Sequence, residues 1–95
     1  MEKKEAYRKK FEAKLDEWKA EVDKLKAKAK QKQVDAETDY KDEIETIREK
    51  REELKGKLKK LEEAGEEAWE DLKQGIEKSS SELKNSVDRA IKKFS

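Results

Sequence analysis

The stretch from Tyr7 to Leu25, YRKKFEAKLDEWKAEVDKL, places Tyr7, Phe11, Leu15, Trp18, Val22 and Leu25 at steps of 4, 4, 3, 4 and 3. Steps of three and four return to one side of a 3.6-residue helix, and every position between them is charged or Ala. That pattern predicts a long, highly charged helix with a narrow apolar seam. After a weaker middle stretch the line resumes with Leu54, Leu58, Leu61, Trp69, Leu72, Ile76, Leu83, Val87, Ile91 and Phe94. A seam of this kind specifies what the chain packs against and carries no chemistry of its own.

Composition agrees with helix throughout. Of 95 residues, 54% are Asp, Glu, Lys or Arg, with no Pro and only three Gly, so nothing forbids very long helices. The absence of Cys removes disulfides and thiol chemistry, and the absence of His removes the usual neutral-pH base and commonest metal ligand. A formal charge of +1 recruits neither nucleic acid nor an anionic membrane by global attraction. Met1 to Glu5 lacks the apolar core of a secretion signal, and no stretch is apolar enough for a membrane span. The sequence therefore reads as soluble and cytoplasmic.

Near-neutrality hides three charge blocks. Residues 1–32 carry +5, residues 35–72 carry −7 and residues 73–95 carry +3. This order favours packing both outer blocks against the middle one, within the chain or with a neighbour. The clearest break is Glu63-Ala64-Gly65-Glu66, preceded by Lys57, Lys59 and Lys60 and followed by Glu66, Glu67, Glu70 and Asp71. Cations before and anions after match the two helix dipoles that meet there, Gly65 can take the left-handed conformation that ends a helix, and a turn is expected there. Gly56 and Gly75, inside periodic segments, read as close packing or mild weakening. The same cation-then-anion change recurs from Lys26–Lys32 to Asp35–Asp39, but without Gly or Pro, so a continuous helix is favoured there. Ser79-Ser80-Ser81-Glu82 has the form of a capping box, although a polar spot within one helix is the simpler reading.

Part of the periodicity is eleven rather than seven. Leu61, Leu72, Leu83 and Phe94 form one such row; Leu25, Ala36, Ile47, Leu58, Trp69, Ser80 and Ile91 form another, and Tyr7, Trp18, Ala29 and Tyr40 a third. Eleven residues in three turns predicts nearly straight or slightly right-handed packing. Such repeats also occur in amphipathic helices that lie on lipid.

No constellation carries catalysis. The carboxylate pairs Glu52-Glu53, Glu62-Glu63, Glu66-Glu67 and Glu70-Asp71 lack both the alternating ligands of a calcium loop and the Glu-x-x-His of a di-iron bundle. Ser79, Ser80 and Ser81 have no His partner. Lys24, Lys26, Lys28, Lys30 and Lys32 turn by about 200° at each step and form no single stripe for nucleic acid. The sequence thus implies no enzyme, no cofactor and no metal.

Four stretches resemble a family of short bacterial coiled-coil stress-response proteins: Lys14-Leu15-Asp16-Glu17-Trp18, the run Lys24 to Ala29, the run Arg48 to Leu54, and above all Gly65-Glu66-Glu67-Ala68-Trp69-Glu70-Asp71-Leu72-Lys73. The resemblance implies an α-helical, non-enzymatic, stress-associated protein and supplies no ligand residues.

The expected architecture is a single all-α coiled-coil domain over residues 1–95, an elongated helical hairpin. Helix 1 covers about residues 3–62, spanning about 90 Å at 1.5 Å per residue. A turn follows at about 63–66, and helix 2 over about 66–94 folds back on helix 1. A three-helix bundle broken near residue 35 is the alternative. The interaction seam comprises Tyr7, Phe11, Leu15, Trp18, Val22, Leu25, Ile47, Leu54, Leu58, Leu61, Trp69, Leu72, Ile76, Leu83, Val87 and Phe94. In the hairpin the seam from Tyr7 to Leu25 stays bare, which calls for a homo-oligomer, an antiparallel dimer first. The functional expectation is a structural or protein-interaction module. Association with a lipid or membrane surface is one alternative, and a hydrophilic desiccation protectant another.

Overall fold

A computed structural model describes residues 3–31 and 41–94, the Phe94 side chain excepted. The described residues form three α-helices: α1 (Lys3–Gln31), α2 (Lys41–Glu63) and α3 (Trp69–Phe94). Each carries acidic residues in its first turn and basic ones in its last. Glu5 leads to Lys28 and Lys30 in α1, Asp42 and Glu43 to Lys60 in α2, and Glu70 and Asp71 to Lys92 and Lys93 in α3. Anions at the N-terminus and cations at the C-terminus complement the helix dipole, by about 0.3–1 kcal/mol each at exposed sites.

The chain is all-α, and all three helix pairs touch, α2 and α3 most extensively. The molecule measures 51 × 22 × 18 Å. A single helix over about residues 3–62 would be about 90 Å long, so that expectation is corrected. Residues 3–31 and 41–63 lie side by side, with Lys4 Nζ at the start of α1 donating to Glu62 O at 3.4 Å in the last turn of α2 and to Ala64 O at 2.7 Å just beyond it. The physical reason is seam coverage. Folded back, α1 lays Phe11, Leu15 and Leu25 into the same core cluster as the α2 and α3 seam residues instead of leaving them in water. The stretch near residue 35, where a continuous helix is favoured by the sequence and a break is the alternative, lies outside the described residues, as do Ala36 and Tyr40 of the eleven-residue rows.

Between α2 and α3 the chain turns through residues 64–68. Ala64 N donates to Leu61 O, and Gly65 O accepts from both Ala68 N and Trp69 N, at 3.1 and 3.2 Å. Gly65 opens the next helical turn in this way and does not use the left-handed backbone open to a glycine. The carbonyls left over at the end of α2 are met instead by the Lys4 ammonium, 60 residues away in sequence. α3 begins at Trp69, three residues after the expected start.

Candidate functional site

The predicted seam is the core of the molecule. Phe11, Leu15 and Leu25 of α1 are buried with Ile47, Leu54, Leu58 and Leu61 of α2 and with Trp69, Ile76, Leu83 and Val87 of α3. Tyr7, Trp18, Val22 and Leu72 are half-buried against this cluster. Phe94 belongs to α3, but its side chain lies outside the described residues. The sequence reading omitted Ser79, Ser80, Ser86 and Ala90, which are also buried. They follow Ile76 and Leu83 at helical steps, so the period placed them on the inner face, and the polarity of the serines and the small size of Ala90 concealed it. Ser80 had a second signal: it stands between Trp69 and Ile91 in an eleven-residue row.

At one end, Tyr7 stacks at tilted angles on Phe11 (4.9 Å between ring centroids) and Trp69 (5.8 Å). Lysines cover the outer ring faces. Lys73 Nζ lies 4.3 Å from the Trp69 centroid, and Lys14 Nζ lies 5.2 Å from that of Phe11. The Tyr7 hydroxyl faces Glu77 Oε1 at 3.2 Å and Lys73 O at 3.3 Å. Burial first, then the Glu77 charge and hydrogen bond, push that hydroxyl well above its ordinary pKa.

Midway along, Lys57 Nζ donates to Ser79 Oγ at 2.6 Å and to Gly75 O at 3.4 Å, and pairs with Glu53 at 3.4 Å. A lysine–serine contact can suggest an activated nucleophile. Here the serine is buried and the ammonium is a donor shared among three acceptors, which describes a polar clasp between α2 and α3. Two ion pairs, Lys50–Glu82 at 3.4 Å and Lys93–Glu43, join the same two helices. The Lys93 hydrogen bond, followed by one from the Glu43 backbone, holds the Glu43 carboxyl below its ordinary pKa.

Two grooves run along α1 where it meets α2. One is lined by Glu12, Asp16 and Glu62 opposite Lys55 and Lys59, a nearly balanced set. The other encloses about 170 Å³ and differs in both chemistry and filling. Trp18 and Val22 of α1, Ile44 and Ile47 of α2, and Leu83 of α3 make its apolar walls. Among the described residues, Lys19, Asp23 and Lys26 of α1 and Arg48 and Arg51 of α2 stand around these walls. Helical spacing assembles the site: Ile44, Ile47, Arg48 and Arg51 fall at i, i+3, i+4 and i+7 on one face of α2. Trp18, Val22 and Lys26 fall at i, i+4 and i+8 on α1. The Nε–H of Arg51 is sealed from solvent and meets no acceptor among the described residues. An unmet buried donor costs about 1–3 kcal/mol. Among the described residues no group of three or more acidic side chains is placed to hold a metal ion. Nor is any described helix long and apolar enough to cross a membrane.

Comparison with protein-family models, curated proteins and solved structures finds no match to this chain.

Proposed function

We propose that this chain is a non-enzymatic helical interaction module, a compact three-helix bundle that presents charged outer faces to a protein partner. The observation that carries the reading is the destination of the seam. Phe11, Leu15 and Leu25, which a hairpin would leave bare, are covered by α2 and α3 of the same chain. The argument for a second copy rested on that bare surface, so the reading is a self-sufficient monomer, with a homo-oligomer as the outcome that would revise it. The outward-facing residues are charged side chains tied by i,i+4 pairs such as Arg8–Glu12 and Lys84–Asp88, a surface suited to salt-sensitive protein contacts. A stress association is carried by the family resemblance of the four quoted stretches alone, with Gly65–Lys73 the most distinctive of them.

Circular dichroism and light scattering, with and without anionic vesicles, test the proposal. It expects a monomer mass and cooperative helix melting in buffer, unchanged by vesicles. Helix that forms only with vesicles would replace it with the lipid-surface reading, since the seam would then open onto lipid. Helix that forms only on drying would favour a protectant.

A further inference from the structure

We infer that a second copy of this chain is a partner of the bundle, and that the two copies exchange α1. In the exchanged form residues 3–63 straighten into one helix, and each α1 covers the α2–α3 pair of the other copy. This goes beyond the monomer reading and uses the same covered seam. The first supporting feature is phase. Phe11 and Ile47, Trp18 and Leu54, Val22 and Leu58, and Leu25 and Leu61 are each 36 residues apart. All eight belong to the core cluster or pack against it. Thirty-six residues make ten full turns at 3.6 per turn, so an unbroken helix carries both inner faces on one side as a single seam. A chain that only folds back has no need of that match, because a turn sets the rotation of α2 independently of α1.

The second feature is register. Lys4 donates to Ala64 O at one end, Asp16 and Lys55 line one groove, and Val22 and Arg48 line the other. Each of these pairs is centred between positions 34 and 36. Two straightened helices laid antiparallel in that register cross a two-fold axis there, and each α1 keeps the partners it has in the monomer. The third feature is the sequence at the axis. Residues 32–40 contain neither Gly nor Pro, so nothing there forbids continuous helix. Lys28, Lys30 and Lys32 precede the axis, and Glu37 and Asp39 follow it. In the antiparallel pair the basic run of each copy lies beside the acidic run of the other, a complementary crossing. A short tether supplies α1 to its own chain at an effective concentration on the order of millimolar. The closed monomer therefore prevails in dilute solution, and exchange competes when the chain itself is that concentrated.

The test refolds the whole chain from urea at two concentrations. About 10 µM should give monomer alone, and about 1 mM should give a dimer by light scattering. Spin labels then identify the dimer. Copies labelled only at Glu12→Cys, refolded with copies labelled only at Lys59→Cys, should show a short distance between chains. Doubly labelled copies diluted into unlabelled chain should show about 70 Å within one chain. Ala36→Pro sets a helix breaker at the axis and should cut the dimer fraction about 10-fold or more, with helix content at 10 µM retained. A chain that stays monomeric at about 1 mM overturns the exchange and leaves the monomer reading standing. A dimer whose intrachain distance stays short, two closed bundles side by side, overturns it as well. A dimer at about 10 µM with the 70 Å intrachain distance would instead uphold the exchange and overturn the monomer reading. These distances decide the matter even if Ala36→Pro does not fold.

Discussion

The interface between α2 and α3 and the face of α1 that covers it are built from the same kinds of residues but packed to different standards. Leu54, Leu61, Ile76 and Leu83 are 0% exposed, and serines between them let the two helices meet. On α1 the best-buried large side chain is Phe11 at 3%, Leu25 reaches 7%, and Tyr7, Trp18 and Val22 remain half-buried. A five-residue turn tethers α2 and α3, and side-chain clasps such as Lys57–Ser79 and Lys50–Glu82 cross between them. The described anchor of α1 to the turn is Lys4. The difference teaches that α2 and α3 form the rigid pair, while α1 is a cover whose looser fit leaves room for a groove.

The largest expected effect comes from cutting into the rigid pair. Leu61→Ala should cost about 2–5 kcal/mol in urea unfolding, because a fully enclosed site collapses poorly around a deletion. Leu25→Ala should fall at the lower end of that range, and equal costs for the two would break the comparison. Next is the tether: Lys4→Met removes the donor to Ala64 O and Glu62 O and should cost about 1 kcal/mol. Its clearest sign would be faster hydrogen exchange in residues 61–64.

A smaller effect of opposite sign is expected at two glycines. A Cβ added at Gly56 or Gly75 meets nothing within 4 Å, so close packing does not explain them. Each to Ala should stabilise by about 0.5–1 kcal/mol through helix propensity, read as a raised Tm.

The smallest effects are pH-dependent and separate the two regions. Glu43 has a lowered pKa in the folded chain, so its contribution is complete above the ordinary value of about 4.3 and is lost as pH falls through the depressed one. The stability gap between wild type and Glu43→Gln should therefore close on acidification. Tyr7 has a raised pKa, so its contribution is present below the ordinary value of about 10 and is lost as pH rises above it. Tyr7→Phe should remove that alkaline loss, as measured by denaturation between neutral pH and pH of about 11.

Much of the helix content was legible because periodicity is local. Tyr7 to Leu25 and Leu54 to Val87 announce their inner faces by spacing alone. Whether α1 continues into α2 was not legible, because the stretch around residue 35 lacks Gly and Pro and helix-permissive residues do not forbid a change of direction. The competing term is long-range: covering Phe11, Leu15 and Leu25 requires folding back, and no local propensity records that. The burial of Ser79, Ser80 and Ser86 was not legible because their polarity stands against the helical period, and at Ser79 a lysine from another helix satisfies the hydroxyl. The groove was invisible in the sequence for the same reason. Trp18 and Arg51 lie 33 positions apart, and only the fold brings their faces together.

The central claim is that α1 lies antiparallel beside α2. It is tested most directly by a pulsed electron-resonance distance between spin labels on cysteines introduced at the exposed positions Glu12 and Lys59. The chain contains no other cysteine to interfere. Both residues border one groove, so the account predicts a short distance, set by an axis separation of about 8–10 Å plus the label arms. A separation near 70 Å, the span of about 47 residues of unbroken helix, would contradict it.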